Sequence, residues 1–134
     1  MDILEEGSIY GNHVCCFKTN FSKTYYNLTF TPSEEIKGFE EIHLQSIFNM
    51  NPKFDCEIRE FVCTKVLDYI KSFKKNLFFA VGIDTSKNMM LFYKFARWIE
   101  CSNLKSEKLI VSCELVNQSN KGIVTAEFRI IPIN

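Results

Sequence analysis

Near the start of the chain two side chains could form a nucleophile and its base. His13 and Cys15 stand two residues apart, on one face of any extended strand. A thiolate beside an imidazole is the beginning of covalent catalysis. A working site also needs a third, orienting group that converges from elsewhere, and one strand cannot supply it. The plainer reading of Cys15, and of Cys16, Cys56, Cys63, Cys101 and Cys113, is as buried small hydrophobes. There is no CxxC, and His13 and His43 lack ligand spacing, so no metal site is expected. Asp84 follows an apolar run, where open α/β sheets place ligands. Asp-Thr-Ser ahead of a helix is also an N-cap cluster, and both readings stand. The paired carboxylates Glu5-Glu6, Glu34-Glu35 and Glu40-Glu41 read as solvated loop residues. No phosphate loop, dinucleotide fingerprint or metalloprotease motif occurs.

The chain that must position these groups has 134 residues, enough for one domain that buries about two-thirds of its unfolded surface. Its 46% hydrophobic and 24% charged content is that of a folded globular protein, and thirteen Phe point to a core built on phenylalanine. Sixteen basic residues balance sixteen acidic ones without a dense basic block, which argues against nucleic acid as a partner. The first residues show neither a basic segment nor an apolar one, and no apolar run reaches membrane-spanning length. A reducing cytoplasm with free thiols is the expected compartment, with no membrane partner.

Alternation of apolar residues predicts strands at Ile9–Phe17, Thr24–Phe30 and Ile42–Phe48, the first two joined through "TNFSK". Ile58, Phe61, Val62, Val66, Tyr69, Ile70 and Phe73 recur at helical spacing after Asp55, a cap residue, and the pattern ends near Lys74. "NLFFAVGI" is apolar on both faces, as in a central strand covered on both sides. A second helix is predicted from Asn88 to about Cys101. "KLIVSCELV" and "IVTAEFRII" then close the chain as a hairpin. The fold class is α+β: a mixed, mainly antiparallel sheet of about six strands with two helices, in the order β-β-β-α-β-α-β-β.

The second helix is unusually greasy. Met89, Phe92, Tyr93, Ala96 and Ile99 form one stripe and Leu91, Phe95 and Trp98 a second, leaving Lys94 and Arg97 as a narrow polar edge. That arc of about 200° is roughly twice what covering one sheet requires. Two readings stand. The second stripe packs on the first helix or on an N-terminal segment. Alternatively Leu91, Phe95 and Trp98, with Arg97, form an interface to a protein partner or a second copy.

The element order resembles the core of the GNAT acyltransferase family. That family's run of an Asn, a small residue three on, a Tyr at seven and a Gly-aromatic pair meets Ser86, Met89, Tyr93 and Arg97-Trp98 here. The resemblance implies acetyl-CoA or another acyl-CoA as cofactor and Tyr93 as the acid that protonates the departing thiolate. Arg97 stands where the family has glycine. The family's glycine-rich pyrophosphate loop is replaced by "NMNPKFDCE", Asn49 to Glu57, which carries Asp55 and Glu57 where phosphates would sit. The chain therefore looks like a small bacterial protein with a degenerate acyltransferase-like core. The expected function is a non-catalytic cytosolic interaction module without cofactor, of the accessory, antitoxin or defence type. The alternative is a divergent acyl-CoA-dependent N-acyltransferase.

Overall fold

The computed structural model describes residues 1–20, 23–47, 56–82, 93–98, 109–118 and 123–133. In them the chain forms β1 (Asp2–Ile9), β2 (Asn12–Lys18), β3 (Tyr25–Pro32), β4 (Phe39–Ile47), α1 (Cys56–Phe73), β5 (Asn76–Gly82), β6 (Leu109–Gln118) and β7 (Ile123–Pro132). A further helix, α2, covers residues 93–98 between β5 and β6. One mixed seven-stranded sheet runs β1-β2-β3-β4-β5-β7-β6, parallel between β4 and β5 and antiparallel elsewhere.

The expected six strands become seven at the N-terminus. Ile9–Phe17 is not one strand. Tyr10 and Gly11 both take positive φ, 50° and 81°, and fold the chain into a two-residue hairpin before β2 begins. Such turns match the twist of an antiparallel pair. The strand ahead of that turn, DILEEGSI, is exposed along its whole length and shows no buried face. Its stability comes from pairing with β2, interrupted by a register shift between Ile3 and Glu5. A bulged, charged edge of this kind resists pairing with other sheets.

The other elements follow from pattern. Cys15 and Phe17 on β2 and Tyr26, Leu28 and Phe30 on β3 are buried in alternation, and the register sets Cys15 opposite Leu28 and Phe17 opposite Tyr26. Opposite residues share a face, so these side chains form one floor for α1. The helix lays Ile58, Val62, Val66 and Ile70 on that floor. Its last turn closes through Lys74, whose N–H donates to the Ile70 carbonyl at 2.7 Å from a left-handed conformation, φ 51°.

β5 is a central strand, flanked by β4 and β7. Leu77 and Val81 lie on the helix-covered face with Ile130 and Ala126 of β7 opposite them. On the reverse face Phe78 is covered by side chains: Phe39 meets it edge-on and the Arg129 guanidinium lies 5.6 Å from the Phe39 ring. Ala80 on that face is exposed, so the expected cover on both sides holds for part of the strand. No helix among the described residues is long and apolar enough to cross a membrane.

Candidate functional site

β4 and β5 are paired over three residues. Phe39, Glu40 and Glu41 lie opposite Asn76, Leu77 and Phe78, and there the ladder ends. Both strands continue, β4 to Ile47 and β5 to Gly82, each held on its far side, by β3 and β7 respectively. The strands part, and a cavity of about 260 Å³ occupies the gap. Consecutive residues of both strands line it, Glu41 to Gln45 and Phe79 to Val81. The backbone edges of the two strands therefore form its walls. Val62, Cys63 and Val66 of α1 and Phe95 and Trp98 of α2 complete an apolar lining.

The aromatic side chains of this wall are in mutual contact. Trp98 meets Phe95 at 5.1 Å and Phe95 meets Phe79 at 5.7 Å, both edge-on, while Phe79 stacks on Phe128 at 4.7 Å. Offset and edge-on pairs add to the stabilisation from burial. At the mouth, His43 Nε2 lies 3.3 Å from Glu41 Oε2, both half-exposed. No lysine or arginine lines the cleft among the described residues.

The residues expected at an interface are divided by this arrangement. Trp98, 8% exposed, belongs to the core, and Phe95 packs half-buried against it. Arg97 and Tyr93 are exposed. Leu91 lies outside the described residues, as do Asp84, Ser86 and Met89. Trp98 is thus buried in the core, and α2 meets the sheet through the Phe95–Phe79 contact. Tyr93 does not reach the cleft: at about 100° per residue it sits roughly 140–160° around the helix from Trp98 and Phe95, and it is 63% exposed.

The proposed His13–Cys15 pair does not form a nucleophilic site. Cys15 is 1% exposed. Burial and the hydrogen bond to Glu6 push its thiol up to about 12, so the reactive thiolate is suppressed. His13 instead packs against Phe30, Tyr69 and Phe73. Nor do all the carboxylate pairs lie in solvated loops. Glu6 accepts a hydrogen bond from Lys65 Nζ at 2.7 Å, which ties β1 to α1 and holds the Glu6 carboxyl below its usual range. Glu40 is 8% exposed and accepts the Tyr69 hydroxyl at 2.7 Å. Burial and that carboxylate raise the Tyr69 phenol well above the ordinary tyrosine range. Among the described residues, no three His, Cys, Asp or Glu side chains come together as a metal-binding group.

The acyltransferase resemblance implies an open cleft beside the central strand, but the residues themselves did not locate it. Alternation placed β4 and β5 but carried no mark of where their pairing stops. Comparison of the chain with protein-family models, with curated proteins and with solved structures gives no match.

Proposed function

We propose that this protein is a non-catalytic interaction module on an acyltransferase-like core, with the cleft between β4 and β5 as its recognition site. The observation that carries the reading is the early end of the β4–β5 ladder, which leaves two strand edges and an apolar floor facing one cavity. Strand edges with unused backbone groups are recognition surfaces. Two features support the absence of catalysis. Tyr93, the residue that the family resemblance makes the acid, faces away from the cleft. The segment from Asn49 to Glu57 lacks glycine and carries carboxylates, so it is unsuited to a pyrophosphate. The partner is a protein, either another chain or a second copy.

The alternative, an acyl-CoA-dependent N-acyltransferase, draws support from the same parting of parallel strands. The amides of a pantetheine arm could pair with the strand edges there, and acetyl-CoA would be the cofactor. Thiol release from acetyl-CoA in the presence of amine acceptors separates the two readings. The interaction module gives no release above the buffer rate. Release that scales with protein concentration overturns it in favour of the transferase.

A further inference from the structure

We infer that the cleft takes an extended peptide segment of a protein partner, added as a strand beside β4, with one large apolar side chain seated between α1 and α2. The inference rests on the interaction-module reading and names its ligand.

Backbone supplies the first argument. Among the described residues, β4 is paired to β3 alone from Ile42 onward, and β5 to β7 alone from Phe79 onward. Backbone N–H and C=O groups are obligatory hydrogen-bonding groups, and a peptide in extended conformation presents the complementary row. Successive side chains of such a peptide point to opposite faces, so every second one enters the cleft.

Charge favours the peptide over a nucleotide cofactor. The cavity has a volume of about 260 Å³. It has room for a large aliphatic or aromatic side chain against Val62, Val66, Phe95 and Trp98. Glu41 stands at the mouth, and no lysine or arginine lines the cleft among the described residues. A polyanionic coenzyme would meet that carboxylate and no lysine or arginine among the described residues. A neutral or basic peptide meets a carboxylate of favourable sign.

The probe is a display library of random heptapeptides panned on the full chain, with the tightest binder remade as a soluble, end-capped peptide. Binding is then measured with single N-methyl groups placed along it. Strand addition along one edge predicts a loss of about tenfold at alternate positions and little between them, because alternate N–H groups point at that edge. Amide exchange should slow at Ile42 to Gln45. Ala80→Lys, at an exposed position on the cleft wall, should weaken binding at least about tenfold without lowering the melting temperature. Failure to recover any peptide, or N-methyl losses without period two, overturns the inference. Protection confined to residues 93–97 overturns strand addition and leaves the interaction module standing. A melting shift with coenzyme A overturns both.

Discussion

Replacing Trp98 with alanine tests whether the second helix is part of the core. A tryptophan buries roughly 150–250 Å². At about 25 cal/mol per Å² that corresponds to about 4–6 kcal/mol of hydrophobic stabilisation as an upper bound. Trp98 is 8% exposed, so nearly all of that applies. Its side chain also lines the cleft, and water entering the vacated space would relieve part of the cavity cost. The expected loss is therefore near the lower end of the usual range for such truncations, about 3 kcal/mol. Urea unfolding should show a lower midpoint at unchanged slope, and the melting temperature should fall by roughly 10 °C. Phe95→Ala should cost less, because Phe95 is half-buried, and the pair should couple by about 0.5–1.5 kcal/mol through the edge-on contact. A Trp98→Ala loss below about 1 kcal/mol would mean that Trp98 is not part of the folded core. If the protein also lost a dimeric solution mass, Trp98 would be an interface anchor instead.

Tyr69→Phe removes the donor to a buried carboxylate and should cost about 1–3 kcal/mol in urea unfolding, while Glu40→Gln, which can still accept that hydrogen bond, should cost less. Stability should fall on the alkaline side. Cys15 and Tyr69 hold their protons in the folded chain after the unfolded chain has lost them, so the unfolded state binds fewer protons and stability declines as pH rises. The decline should begin near pH ~8.5, the ordinary cysteine range, and steepen from about 10, where unfolded tyrosine ionises. Urea unfolding of Cys15→Ala across this range should lose the earlier part of the slope. At the β1–β2 hairpin, Gly11→Ala should destabilise by about 1 kcal/mol, since φ is 81° although no atom crowds an added Cβ. Tyr10→Asn should stabilise by a few tenths to about 1 kcal/mol, because asparagine accepts the left-handed conformation more readily. Thermal melts of the two variants should move in opposite directions.

Where one face of an element is buried, its pattern was legible in the chain. The helical spacing of Ile58, Val62, Val66 and Ile70, and the alternation in the two closing strands, follow from a single sheet face that each must cover. β1 was hidden because it buries no face, so its residues carry no alternation to read. The turn at Tyr10-Gly11 was obscured by an aromatic residue in a conformation that usually belongs to Gly, Asn or Asp. The greasiness of the second helix was plain, and the aromatic contacts of Phe95 and Trp98 account for their part of it. What local pattern cannot encode is how long two parallel strands stay paired. That depends on contacts made elsewhere in the sheet. The partners of Glu6 and Glu40 are equally remote, 59 and 29 residues along the chain.

In the proposed function the cleft recognises a protein segment and performs no acyl transfer. Its most direct test is the melting temperature of the full chain in millimolar coenzyme A and acetyl-CoA. A ligand present at about 100 times its dissociation constant stabilises the native state by about 2.7 kcal/mol, a shift of several degrees in a domain of this size. No shift is expected with either compound. A shift that saturates with coenzyme A would place an acyl-CoA cofactor in the cleft and contradict it.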